Sequence, residues 1–256
     1  MFHLEGKIEI VSGQTCLAGR KASNEDAVVL HVPDENRLMV YKGIVAAIAD
    51  GVSSADAGKE AADLCTTRFV EDYYASPDVW TTKHSVQNVL TALNRDLYNR
   101  GKVYHNAEKG YLSTLSILIL KSHTAHIFHI GDSRIYRLRD GKLEPLTMDH
   151  SVQVSETQSY LARAMGLDNE PRIDYSTTDV REDDLFLLTT DGIHDHVDKT
   201  RITTLLDSNR DDLQRASDML VQEAFDMRSK DNLSSIVVRV LNLPDNARDE
   251  VDQRLT

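Results

Sequence analysis

Hydrophobic and polar positions follow two periods along this chain, and they predict a strand-rich fold with helices set between blocks of strands. Period-two alternation and short apolar runs predict strands over 7–15, 27–32, 38–49, 113–120, 125–130, 134–139, 142–146, 184–190 and 233–241. Other segments have the residue content of helices, which we expect over 55–74 with Ser54 as N-cap, 84–102, 161–165, 199–207 and 211–228.

The turns indicate how the strands pair. Asp140-Gly141 is a strong hairpin turn, and the segment 131–133 joins two further strands. Because many strands follow one another as hairpins, we expect an α+β domain of antiparallel sheets covered by helices, not a repeated βαβ unit. We predict one domain over 1–243, with 244–256 as a polar tail or a truncated linker.

The charge balance narrows the possible partners. The chain has 256 residues and a formal net charge of -12, from 29 Lys and Arg against 41 Asp and Glu. Nucleic acids and anionic membranes need clustered basic side chains, so we expect neither as a partner. The N-terminus lacks the pattern of a signal peptide, and the apolar run 115–120 is too short to span a bilayer. We therefore expect a cytoplasmic protein.

Acidic residues recur at the ends of the predicted buried strands. A lone Asp-Gly pair is a routine turn, but core strands lead directly into two of these pairs. Several carboxylates meeting at one sheet edge would repel one another strongly unless a cation lay among them. The motifs are Asn24-Glu25-Asp26, Asp50-Gly51, Asp191-Gly192 and Asp231-Asn232.

The chemistry of these ligands indicates the metal and the reaction. Oxygen ligands without a His or Cys cluster favour Mg²⁺ or Mn²⁺ over Zn²⁺. Two such ions about 3.5–4 Å apart would activate a water for in-line attack on phosphorus. No Ser-His-Asp or Cys-x5-Arg arrangement is present in the sequence, so we expect no phosphoenzyme intermediate.

These residues lie in an ordered series of motifs that resembles the bacterial type 2C (PPM) metal-dependent serine/threonine protein phosphatases. The resemblance spans nearly the full chain, and it is the shared order of the motifs that is specific. Two stretches, 158–166 and 191–197, look most like phosphatase domains fused ahead of a kinase in bacterial bifunctional proteins. The matching motifs cover 19–26, 49–54, 113–114, 129–136, 146–151, 162–166, 189–192 and 231–234.

The resemblance implies a four-layer αββα sandwich with a dimetal site at one edge of its two antiparallel sheets. It also implies that Asp50 bridges two Mn²⁺ or Mg²⁺ ions, and that Asp50, Asp191 and Asp231 are the catalytic ligands. The full implied set is Asp191 and Asp231 at the first ion, Glu25 and the Gly51 carbonyl at the second, Asp26 through a water, and Asp132 and Asp195 at a weaker third ion shared with Asp191.

Three positions depart from the family pattern. Lys21 stands where relatives place a phosphate-gripping Arg, so Lys21 or the adjacent Arg20 is the expected phosphate ligand. Val52 stands where eukaryotic relatives carry a histidine that is proposed as the general acid. His194 is near Asp191 in sequence, but we expect it to lie behind the site or on the surface and not to take that role. Only 152–161 remains of a longer flap, which predicts a reduced flap and a more open site.

The sequence leaves three functions open. The leading one is hydrolysis of phosphoserine and phosphothreonine on proteins, with a fused or cognate Ser/Thr kinase as a possible partner. The second is a regulatory module that keeps the fold without turnover, and the third is a phosphatase of small phosphate esters. The complete ligand set favours catalysis.

Overall fold

The structure is a computed structural model that describes residues 7–52, 57–103, 110–155 and 158–245. Within them the strands are β1 (Glu9–Leu17), β2 (Asp26–His31), β3 (Ile44–Asp50), β4 (Leu115–Lys121), β5 (Thr124–Ile130), β6 (Arg134–Arg139), β7 (Lys142–Pro145), β8 (Ser151–Ser155), β9 (Gln158–Leu161), β10 (Asp174–Asp179), β11 (Leu185–Thr189) and β12 (Leu233–Asn242). The helices are α1 (Asn36–Tyr41), α2 (Gly58–Asp63), α3 (Phe69–Ala75), α4 (Thr82–Val103), α5 (Asp191–His194), α6 (Lys199–Ser208) and α7 (Leu213–Asp226).

Two five-stranded antiparallel sheets form the centre of the molecule. The first sheet has the order β1-β12-β11-β6-β7, and the second has the order β10-β5-β4-β3-β2. Helices cover the outer face of each sheet, which gives the predicted four-layer αββα sandwich. No helix in the described ranges is long and apolar enough to cross a membrane.

The core explains why the central strands are apolar at nearly every position. Along β3, Ile44, Ala46 and Ile48 face the core between the two sheets. The alternate residues Val45 and Ala47 face the helical layer formed by α2, α3 and α4. Because both faces of the strand are buried, its sequence is a continuous apolar run instead of an alternation.

The strand predicted over 38–49 is wrong in its first part. That part forms α1, which ends where the N–H groups of Lys42 and Gly43 donate to the Leu38 carbonyl at 2.7 and 3.1 Å. Gly43 then takes a left-handed backbone with φ of 75°, which favours glycine and lets the chain reverse into β3. Apolar content alone does not distinguish a short helix followed by a strand from one long strand.

Further regions differ from the sequence prediction, among them β8 and α5, which were not predicted. The segment predicted as a helix over 161–165 instead finishes β9 and then forms a bridge between Met165 and Ser113. The edge strand β10 was not predicted, because its sequence DYSTTD is polar and mostly exposed. Residues 53–56, with the predicted cap Ser54, lie outside the described residues, as do 246–256 of the predicted tail.

The topology brings four chain segments to one edge of the sandwich. The start of β2 lies beside the end of β3, and the end of β11 lies beside the start of β12. Strand β12 of the first sheet also contacts β2 and β3 of the second. Acidic residues at these four strand ends therefore meet across the two sheets.

Candidate metal centre

Asp26 and Asp50 are direct partners in the antiparallel register of β2 and β3. The Asp50 N–H donates to Thr114 Oγ1, and the Thr114 N–H donates to the Asp50 carbonyl, both at 2.9 Å. The Thr114 hydroxyl is also 2.7 Å from Ser133 Oγ, in the turn that carries Asp132. These bonds fix the backbone around Asp50 before any ligand binds.

A glycine beside each central aspartate allows the close approach of a second segment. A Cβ on Gly192 would lie 2.0 Å from the Asn232 carbonyl oxygen, so only glycine lets α5 pack against the loop that carries Asp231. A Cβ on Gly51 would lie 2.2 Å from the Gly58 carbonyl oxygen. Glycine is therefore required at positions 51 and 192 by packing at the site as well as by the turn after each aspartate.

Asn232 joins the two acidic loops through its side chain. Its amide group donates to the carbonyls of Ala18 and Ser23 at 3.0 and 2.8 Å, and its side-chain oxygen accepts the Glu25 N–H at 2.9 Å. The motif Asp231-Asn232 contains this residue, but the sequence predicted no role for its side chain. The structure shows that it holds Glu25 in place beside the Asp231 loop.

Burial and mutual repulsion raise the pKa values of the clustered carboxyls. The pKa of Asp26 rises to about 7 and that of Asp191 to about 6, mainly through burial. Burial also raises the pKa of Asp50 well above its usual range, and the charges of Asp26 and Asp191 raise it further. The pKa of Asp132 rises to about 7, through burial and then through the charge of Asp191.

These carboxyls have oxygen atoms without hydrogen-bond partners. Asp26 Oδ2 accepts the Thr190 hydroxyl at 2.9 Å, but Asp26 Oδ1 and Asp191 Oδ1 are buried and accept no hydrogen bond within the described part of the protein. A buried, unpaired carboxylate oxygen is costly in free energy. The cluster therefore has oxygen ligands available in a position where anions alone are unfavourable.

The donor set fits a hard divalent cation, although the side chains are not yet arranged around one. Among the described residues, no three acidic, His or Cys side chains converge closely enough to hold an ion as they stand. Asp231 instead pairs with the Lys21 ammonium group. The available donors are all oxygens, which is the preference of Mg²⁺ and Mn²⁺.

The two candidate phosphate ligands point to different places. The pKa of Lys21 is raised, because its contacts with Asp231 and its proximity to Asp50 outweigh the effect of burial. The Arg20 guanidinium instead lies 4.1 Å from the centre of the Phe225 ring and donates to the Phe225 carbonyl at 3.0 Å. Lys21 thus faces the acidic cluster, and Arg20 packs against the end of α7.

The turn that carries Asp132 is held by a network that the sequence did not reveal. The His150 N–H donates to the Gly131 carbonyl at 2.7 Å, and the Gly131 N–H donates to His150 Nδ1 at 3.2 Å. His150 Nε2 must then carry the proton, and it donates to Asp174 at 3.0 Å. Arg163 also donates to Asp174 at 3.0 Å. His150 therefore bonds both the N–H and the carbonyl of Gly131, and so holds the two peptide groups on either side of this residue, next to Asp132.

The remaining sequence candidates lie near the centre with differing exposure. The Asp195 side chain is 59% exposed and lies 3.9 Å from Arg134, which pairs mainly with Asp149. His194 is buried, and its Nδ1 is 2.9 Å from Thr189 Oγ1, so it lies behind the site and not on the surface. The shortened flap segment forms the small β8–β9 hairpin.

Comparisons with known proteins agree with this architecture. The model of the family described as protein phosphatase 2C matches residues 14–240. A serine/threonine phosphatase, stp, of Listeria welshimeri is 25% identical over 220 residues, which cover 79% of this chain and 86% of that protein.

Solved structures share the fold. The Streptococcus agalactiae serine/threonine phosphatase superposes with a TM-score of 0.79 at 21% identity, covering 91% of this chain and 100% of that one. The catalytic domain of the serine/threonine protein phosphatase PstP, solved in complex with 2 manganese ions, gives a TM-score of 0.76 at 22% identity, covering 93% and 100%. The family predicted from the motifs is therefore confirmed, and the chain belongs to the protein phosphatase 2C family.

Proposed function

We propose that this protein hydrolyses phosphoserine and phosphothreonine on other proteins with the help of Mn²⁺ or Mg²⁺. Family membership makes it a metal-dependent phosphatase, and relatives named serine/threonine phosphatases support the substrate class. The observation that carries the proposal is that Asp26, Asp50 and Asp191 lie close enough at one sandwich edge to raise the pKa of Asp50, and that two of their buried carboxylate oxygens accept no hydrogen bond from the described residues.

The chain's own residues would hold the ions and the substrate. Two bound ions would activate a water and neutralise the phosphoryl oxygens, so that no phosphoenzyme is needed. We assign the first site to Asp50, Asp191 and Asp231. The other assigned ligands are Glu25 and the Gly51 carbonyl at the second site, Asp26 through a water, and Asp132 and Asp195 at a third.

Lys21 is the residue that we assign to the substrate phosphate. Its side chain is 23% exposed, and its ammonium group already pairs with the proposed metal ligand Asp231, so Lys21 lies at the boundary between the cluster and solvent. A cation that pairs with a carboxylate is also suited to a phosphoryl oxygen once metal ions occupy the carboxylate. Arg20 keeps a packing role against Phe225.

The partners follow from this chemistry. We propose phosphorylated proteins as substrates and a cytoplasmic Ser/Thr kinase, fused or separate, as the enzyme that phosphorylates them. The acidic balance of the chain, with a net charge of -12, gives no support to nucleic acid as a partner.

The test uses protein stripped of metal with a chelator. A phosphothreonine peptide and p-nitrophenyl phosphate are each assayed with chelator, with Mn²⁺ and with Mg²⁺. We expect turnover of both only when metal is added. Equal turnover in chelator would defeat the metal mechanism, and turnover of the small ester alone would favour a small-molecule phosphatase. Metal binding without turnover of either substrate would favour a regulatory module.

A further inference from the structure

A pocket of about 340 Å³ adjoins the acidic cluster on the side of α5 and the α7–β12 connection. Asp191, Asp195 and Asp231 form its acidic wall. His196, Arg228 and Lys230 also line the pocket, and we call these three residues its basic wall. The proposed function uses the acidic wall for metal ions but gives the basic wall no role.

In the part of the chain that the structure describes, the cations of the basic wall form no ion pair. Arg228 and Lys230 are exposed, and neither side chain forms a hydrogen bond or an ion pair with another described residue. His196 Nδ1 is buried and has no hydrogen-bond partner among those residues. Elsewhere on the protein, arginines form ion pairs with exposed carboxylates. Arg239, for example, lies 2.7 Å from Asp183.

The backbone at Arg228 is also unusual for an arginine. Its φ is 65°, in the left-handed region where glycine is the residue normally found after a helix. The Arg228 N–H donates to the Phe225 carbonyl at 3.0 Å, and the Ser229 N–H donates to the Ala224 carbonyl at 3.1 Å, which closes α7. An arginine at this position is unfavourable for the backbone, which points to a use for its side chain.

We propose that this pocket is an anion subsite that binds an acidic or phosphorylated residue next to the target phosphoserine or phosphothreonine. The inference rests on the proposed function, because the acidic wall must be occupied by metal ions before the basic wall dominates. Asp191 and Asp231 belong to both the pocket and the metal centre, so the subsite borders the reacting phosphate. The side chain bound there would contact the exposed cations of Arg228 and Lys230.

The basic wall would also select substrates within a protein that is acidic overall. At a net charge of -12 the surface as a whole repels acidic peptides. A local group of cations beside the phosphate offsets this repulsion only for peptides whose acidic residue reaches the pocket. The subsite therefore determines specificity more than overall affinity.

The experiment compares three phosphothreonine peptides of one length, with neutral flanks, acidic flanks, or a second phosphothreonine. The test variant is Arg228→Gly with Lys230→Ala, since glycine suits the backbone at 228. The control is Lys142→Ala with Arg215→Ala, which removes the same charge from exposed positions that do not line the pocket. We measure kcat/KM for each peptide with Mn²⁺, and the Kd of non-hydrolysable phosphonate peptides by calorimetry.

We expect wild type and control to prefer the acidic and doubly phosphorylated peptides roughly 5-fold over the neutral one in both kcat/KM and Kd. The test variant should reduce both ratios to about one. No preference in the wild type, or a preference that survives in the test variant, would overturn the subsite and leave the phosphatase standing. If no peptide is hydrolysed, the proposed function fails, and the ratio of Kd values still decides the subsite.

Discussion

Asp184 precedes β11 and Asp191 follows it, so two buried carboxyls lie at opposite ends of one core strand. At the first end, Asp184 is 1% exposed and accepts two hydrogen bonds from Arg139, at 2.6 and 2.5 Å. The Arg181 N–H adds a third at 2.8 Å. At the second end, Asp191 has a buried oxygen without a described partner, and burial and Asp231 raise its pKa to about 6.

The difference separates a carboxylate that is paired within the fold from one that we propose as a metal ligand. Both ends bury acidic groups, but at the Asp184 end Arg139 bonds directly to the buried carboxylate, and Arg137 and Arg139 both pair with the neighbouring Asp179. A buried charge that is paired supports the fold, whereas a group of unpaired like charges is kept at a cost to stability. We therefore expect substitutions at the two ends to have opposite effects on activity and stability.

The largest expected effect is the loss of activity in Asp191→Asn. The amide keeps the size of the side chain but removes a charged ligand, so we expect kcat/KM with Mn²⁺ to fall on the order of 1,000-fold. Circular dichroism should show an unchanged fold. If the variant unfolds instead, Asp191 is a structural turn residue and the comparison fails.

The opposite substitution, Asp184→Asn, should affect stability. Removing one partner of a buried ion pair leaves Arg139 with less compensation, and we expect the free energy of unfolding to fall by about 3 kcal/mol. Urea unfolding measures this change, and activity per folded molecule should be retained. Asp179→Asn is the matched control, because Asp179 is 56% exposed and should cost less than about 1 kcal/mol.

Mn²⁺ should stabilise the fold only by binding at the end of β11 that carries Asp191. At a Mn²⁺ concentration near 100 times its Kd, binding adds about 2.7 kcal/mol to the free energy of unfolding, or a Tm increase of about 5–10 °C. Scanning calorimetry should show this increase in wild type and in Asp184→Asn, and a smaller one in Asp191→Asn. Equal increases in all three proteins would place the metal elsewhere.

The bonds between His150 and Gly131 predict a smaller loss of activity, also at the end of the sandwich that carries Asp191. His150→Ala removes the imidazole that accepts the Gly131 N–H and contacts Asp174, while the backbone bond from residue 150 to the Gly131 carbonyl remains, so we expect a roughly 10-fold fall in kcat/KM together with a higher Mn²⁺ concentration for half-maximal activity. The control is His123→Ala, at the β4–β5 turn on the other end of β5. A fall in Tm without a change in the metal requirement would make His150 purely structural.

The smallest expected effect is a gain in the free energy of unfolding, opposite to the loss expected for Asp184→Asn. Asp26 is 1% exposed, one of its oxygens has no described partner, and neighbouring carboxylates repel its charge. Asp26→Asn should therefore raise the free energy of unfolding in chelator by about 1 kcal/mol. Urea unfolding in chelator is the measurement, and a loss of stability would contradict the repulsion at this end.

The sequence predicted the central strands and the acidic strand ends well, for physical reasons. Strands β3, β4 and β11 are buried on both faces, so each is an apolar run in the sequence, although the run that contains β3 begins within α1. Asp50 and Asp191 stand out because each directly follows such a run, with a glycine that packing requires. Local sequence carries the apolar runs and the Asp-Gly pairs, whereas the packing that requires Gly192 depends on Asn232, far along the chain.

The rest depended on contacts between distant positions. His150, Arg163 and Asp174 meet around the Asp132 turn only after the chain folds. The separate directions of Arg20 and Lys21 also depend on α7 and the Asp231 loop, far along the chain. The polar edge strand β10 has neither an apolar run nor a turn signal of its own.

The most direct measurement of the central claim is a calorimetric titration of the chelator-treated protein with Mn²⁺, repeated on Asp50→Asn and Asp184→Asn. If carboxylates gathered at one end of the sandwich are retained there for cations, wild type and Asp184→Asn bind at least two ions per chain, and Asp50→Asn loses this binding. Failure of the wild type to bind Mn²⁺, or unchanged binding in Asp50→Asn, would contradict the account.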